Sequence, residues 1–114
     1  AYNNFAYSLV ERDEDLEYPL TLAEKAIQIS PDVSAYLDTI GWIYYKLSEF
    51  EKAKDFIAQA LIYDDSSAVI LEHYGDVLIS VEEIDEALIF YNKALLLDED
   101  NKQLQTKISS YESQ

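Results

Sequence analysis

The chain contains only two glycines, Gly41 and Gly75, and they stand 34 residues apart. The same shift carries Leu37 onto Leu71, Glu49 onto Glu83, Ala53 onto Ala87, Phe56 onto Phe90, Ala60 onto Ala94, Leu61 onto Leu95 and Asp64 onto Asp98. Residues 34–67 and 68–101 thus share eight identities, most of them at apolar or very small side chains. A fixed period of this length signals stacked helix–turn–helix units, none of which buries its apolar face without a neighbour. Gly41, Ala53 and Ala60 let two helix backbones approach closely, and Tyr44, Phe56 and their counterparts fill the remaining volume.

Local periodicity agrees. Leu37, Ile40, Gly41 and Tyr44 recur at three- and four-residue steps, the spacing of one helix face. A turn near 47–49 precedes a helix over about 50–63, and the pattern returns as helices near 67–80 and 83–97. Asp32 or Ser34, Ser67 and Asp100 are the expected N-caps. An earlier, worn copy is expected over about 1–33. Ala6 stands there where the glycines stand, and Pro19 falls where Ala53 and Ala87 fall. Proline is tolerated in a helix only in the first turn, so that helix should begin at about Leu16–Tyr18. Leu104, Ile108 and Tyr111 give a last amphipathic helix over about 101–113, capping a single domain with units at about 1–33, 34–67 and 68–101.

Composition narrows the function. Twenty-three acidic residues against eight basic ones leave a net charge of −15, which repels phosphate backbones and anionic membranes. No cysteine is present, which rules out disulfides and thiolate metal sites. No apolar run approaches the roughly 18 residues that a membrane span requires. Ala1 at the start and the lack of methionine predict an excerpt or processed product of a longer protein. His73, the sole histidine, is read as a plain surface residue. Phosphate-binding glycine loops are absent, and the run from Asp98 to Gln103 lacks the glycine and closing glutamate of a calcium loop. Catalytic residues, metal ligands and cofactors are therefore not expected, and the chain is read as a non-enzyme.

Leu37-x2-Ile40-Gly41-x2-Tyr44 followed by Ala53-x3-Ile57 and Ala60 resembles the tetratricopeptide repeat, and Leu71-x2-Tyr74-Gly75-x2-Leu78 with Ala87-x3-Tyr91 and Ala94 repeats it. The resemblance covers about residues 1–112. It implies an all-α, right-handed α-α superhelix of about seven helices, in which the first helix of each unit lines a concave groove for a partner segment. The stripe on those helices not used for stacking reads Asn3, Tyr7 and Val10, then Asp38, Trp42 and Tyr45, then Glu72, Asp76 and Ile79, with Lys46 as the one base close to it. Such a groove, aromatic on one side and acidic on the other, suits a basic or amphipathic peptide. The cations with which one subclass of the family grips a C-terminal carboxylate are missing, so that mode is not expected. The wording Tyr36 to Trp42 and Ile70 to Asp76 also looks like long bacterial repeat proteins, many of them envelope-associated. It would imply a periplasmic or envelope setting, with the cytoplasm as the alternative.

The resulting expectation is a non-catalytic scaffold that binds a protein or peptide, as a monomer or weak homo-oligomer, without nucleic acid and without membrane insertion. A structural spacer or oligomerising section of a longer solenoid is the alternative.

Overall fold

A computed structural model describes residues 17–113. Six helices succeed one another there: α1 (Glu17–Ile29), α2 (Ser34–Lys46), α3 (Phe50–Tyr63), α4 (Ala68–Ser80), α5 (Ile84–Leu97) and α6 (Lys102–Glu112). No strand occurs among the described residues. The expected first helix, with Asn3, Tyr7 and Val10, lies outside them, which leaves six of about seven helices in view.

Each helix packs on its neighbours in the chain, α2 on α3 and α4 on α5 most extensively, and α2 also touches α4. The reason lies at the two glycines. A Cβ placed on Gly41 would run into the side chain of Ile57, and one placed on Gly75 would run into the ring of Tyr91. Ala53, Ala60, Ala87 and Ala94 are fully buried in the same seams. The main core runs continuously from Leu37 to Ile108, with a smaller cluster of Leu22, Ala23, Ile40 and Ile43 where α1 meets α2. Leu104 and Ile108 of α6 are buried in the main core, and Tyr111 lies 6.3 Å from Tyr91, ring to ring.

The hairpin turns repeat as faithfully as the helices. Ser48 (φ 63) and Glu82 (φ 64) both occupy the left-handed region. The N–H groups of Ser48 and Glu49 donate to the carbonyls of Tyr45 and Tyr44, and those of Glu82 and Glu83 to Ile79 and Leu78. These bonds satisfy carbonyls that a helix end leaves without partners. Lys54 of α3 reaches across to Glu83 at 2.8 Å, tying one unit to the turn of the next.

Pro19 is buried three residues into α1 as described from Glu17, and the expected start at Leu16–Tyr18 lies at the edge of the described residues. The caps differ in part. Ser67 accepts from the Ile70 N–H as expected, but Asn101 rather than Asp100 caps α6, accepting from Leu104 at 3.0 Å. At α2 the cap position falls to Val33, without a side-chain bond, because Ser34 is already the first helical residue and Asp32 lies one residue too early.

Two substitutions test the turn and the seam. A left-handed non-glycine residue costs roughly 1 to 2 kcal/mol, of which glycine's extra unfolded freedom takes back a part. Glu82→Gly should therefore stabilise the fold by about 0.5–1 kcal/mol in urea unfolding. Gly75→Val should destabilise it by about 1–3 kcal/mol, because the Tyr91 ring must move out of a filled seam.

Candidate functional site

The wall built by α2, α4 and α6 carries the predicted stripe, and its geometry differs from a bare groove. On α2, Asp38 is 5% exposed, and both its carboxylate oxygens lie 3.0 Å from Nδ1 of His73 on α4. The His73 ring, 8% exposed as a residue, stacks on Trp42 with centroids 3.9 Å apart and planes 14° apart. Trp42 stacks in turn on Tyr45 at 4.5 Å, and Lys46 holds its ammonium 5.9 Å from the indole centroid. Tyr45 also meets Phe50 of α3, edge tilted to face, at 5.7 Å. Steps of four and three residues along α2 bring Asp38, Trp42 and Tyr45 into one column.

One unit further on, the same construction recurs with different chemistry. Lys107 of α6 donates to Glu72 at 2.7 Å and to Asp76 at 3.0 Å, both on α4. Tyr91 of α5 donates its hydroxyl to Asp76 at 2.6 Å, and Lys107 lies 5.4 Å from the centre of the Tyr91 ring. Asp38 to His73 and Glu72 to Lys107 are both separations of 35 residues. The 34-residue shift carries the first acid onto the second acid and the histidine onto the lysine. An acid on one first helix thus meets a base on the next, one residue beyond its own counterpart.

This repeated pairing corrects the sequence reading in two ways. His73 is a buried bridge between units, not a surface residue, because α4 turns it onto Asp38 and Trp42 of α2. Lys46 is also not the one base near the stripe, since His73 and Lys107 reach it from the next helices along the wall. As a result Asp38, Glu72 and Asp76 hold partners within the chain, and Asp38 is closed to solvent. Ile79 is half-buried against the core. Of the stripe, Trp42 and Tyr45 keep partly exposed ring surface and Lys46 is exposed, whereas Asn3, Tyr7 and Val10 lie outside the described residues. The signal for the missed bases was in the sequence: the repeat shift that aligned the acids also aligned His73 with Lys107.

Helical hairpins stacked in one direction, with one wall made of their first helices, define a helical-repeat solenoid. A family model for the tetratricopeptide repeat matches residues 35–65 and 68–101, and the chain belongs to that family. It is 32% identical over 80 residues to anaphase-promoting complex subunit 3 of Schizosaccharomyces pombe, a match that covers 68% of this chain and 12% of that protein. It is 27% identical over 77 residues to the BBSome complex member BBS4 of Bos taurus, covering 68% of this chain and 15% of that one. The chain therefore spans a small part of these relatives' length. Among solved structures, the first TPR of Spaghetti (RPAP3) bound to the HSP90 peptide SRMEEVD superposes with a TM-score of 0.90 at 13% identity, covering 98% of this chain and 90% of that one. No helix among the described residues is long and apolar enough to cross a membrane.

The pairing at Asp76 also sets an alkaline limit on stability. Burial, and then donation to Asp76, pushes the Tyr91 phenol well above its ordinary value of 10.0. Burial alone would pull the Lys107 ammonium down, but its bond to Glu72 and the charge of Asp76 outweigh this and raise it above 10.5. Both protons are held more tightly in the folded chain than in the unfolded one. Their contribution is whole below about pH 10 and is lost as pH climbs above it. Tyr91→Phe should cost about 1–2 kcal/mol at pH 7 and flatten the fall in stability between pH 10 and about 11.5, measured by urea unfolding. A slope equal to that of the unsubstituted chain would place the alkaline sensitivity elsewhere.

Proposed function

We propose that this chain is a non-catalytic docking module that holds a segment of another protein against the wall of α2, α4 and α6. The observation that carries the reading is the Trp42–Tyr45 stack: two large rings with partly exposed surface, pinned from behind by the buried His73–Asp38 bridge. Rigid aromatic anchors of this kind dominate binding energy at protein interfaces and lose little entropy when covered. That a similar fold has been solved with a bound HSP90 peptide supports the general role.

The charge logic separates this wall from that example. The peptide SRMEEVD is acidic, whereas here the two bases reaching the stripe, His73 and Lys107, are already engaged by carboxylates. With a net charge of −15, the chain attracts a neutral or basic amphipathic segment and repels an acidic tail or a nucleic acid. The proposed units remain 1–33, 34–67 and 68–101, with α6 as the cap. The His73–Asp38 pair has the outline of half a catalytic triad, yet the pair at the same register one unit on is Lys107–Glu72. A bridge that changes its base from unit to unit serves stacking, which supports a non-enzyme.

Peptide display selected against the whole chain should enrich sequences with Lys or Arg beside an apolar residue. Trp42→Ala combined with Tyr45→Ala should then weaken the selected peptides by about 30-fold, the equivalent of roughly 2 kcal/mol, with helix content retained by circular dichroism. Peptides that bind the doubly substituted chain unchanged would move the site off this wall.

A further inference from the structure

The opposite face of the stack carries a second, unassigned surface. Asn92, Leu95 and Leu96 of α5 and Glu99 just past its end line a shallow cleft of about 320 Å³. Leu96 is 75% exposed there. Subtracting one repeat from these four positions gives Ala58, Leu61 and Ile62 of α3 and Asp65 just past its end. Those residues line two clefts along the seam with the next unit; α4 supplies Leu71 to one and Tyr74 to the other, and α5 supplies Phe90 to both and Lys93, Leu96 and Leu97 to one. One unit earlier, therefore, the side chains across the cleft from such a face come in part from the next second helix: an aromatic residue, a lysine three positions on, and a leucine pair three and four positions after that.

Charge selects among the occupants. Asp65 shares its cleft with Lys93, and its counterpart Glu99 stands in a run of three exposed carboxylates with Asp98 and Asp100. A second copy of the chain brings another net charge of −15 to this face, whereas a basic helix is drawn to it. We propose that the Asn92–Glu99 face of α5 is a docking site for a basic amphipathic helix of another protein, carrying the pattern Phe-x2-Lys-x2-Leu-Leu on one side. The site is separate from the Trp42–Tyr45 wall and does not depend on it.

The test is a fluorescence-anisotropy titration of the whole chain with a labelled alanine- and lysine-based helical peptide bearing that pattern. The control is the same composition scrambled so that its apolar residues no longer share a face. The patterned peptide should bind at least tenfold more tightly than the scrambled one. Leu96→Glu, at a position 75% exposed, should remove that preference with helix content retained by circular dichroism. Glu99→Lys should weaken the peptide about threefold and favour a version in which the patterned lysine is glutamate. Trp42→Ala with Tyr45→Ala should leave all of this unchanged, which separates a failure here from a failure of the wall. Equal binding of the scrambled peptide, or binding indifferent to Leu96→Glu, would overturn the proposal. Self-association in sedimentation velocity that Leu96→Glu abolishes, without peptide binding, would overturn it too, by giving the face to a second copy.

Discussion

Where α4 crosses α5, the ring of Tyr91 lies in the place that a Cβ on Gly75 would take, and Ile57 meets Gly41 in the same way one unit earlier. The whole stack depends on this close approach. It brings the apolar faces of two helices near enough to exclude water, with alanines at 53, 60, 87 and 94 lining the seam. It also fixes how one hairpin presents its remaining apolar surface to the next, so that contacts run almost wholly between chain neighbours. A stack made this way has long side walls, and any function has to be sought on those walls.

The acid–base pairs at a separation of 35 residues add a second layer of order. Bringing Asp38 and His73 out of water opposes folding, and such pairs seldom add much net stability. Their geometric demand is another matter. A bridge that must reach from one first helix to the next can form only at one rotation and one offset of the two units. The pairs thereby set the register of the stack, while apolar burial supplies its stability. The substitution of lysine for histidine in the later copy keeps the reach while the ring stacking is given up; Tyr91 supplies the aromatic surface instead.

The two long faces consequently differ in kind. On the inner wall Asp38, Glu72 and Asp76 are matched within the chain, and Trp42 and Tyr45 offer aromatic surface beside Lys46. The face on α3 and α5 offers Ile62, Ile89, Leu96 and Leu97 largely to solvent, with carboxylates at the ends of both helices. Exposed aliphatic side chains beside exposed carboxylates differ from the inner arrangement, where the acids are paired across the stack. The two proposed docking sites lie on different faces, so occupation of one would leave the other free.

Much of the architecture was legible in the residues. The 34-residue shift, the two glycines and the alanine pairs determined helical hairpins, their order and their stacking, because small residues at helical spacing permit only close helix pairs. Pro19 likewise falls near the described beginning of α1, where its ring is tolerated. What the letters left open was which side chain of one helix meets which of the next. Periodicity assigns a residue to a face of its own helix, but His73 lies between two faces, and only the rotation of α4 against α2 turned it inward onto Asp38 and Trp42. The same holds for Lys107, which is 31 and 35 residues from the acids it neutralises. The tertiary structure alone decided that these acids are paired, because pairing depends on distances across the stack, which a one-dimensional pattern does not contain.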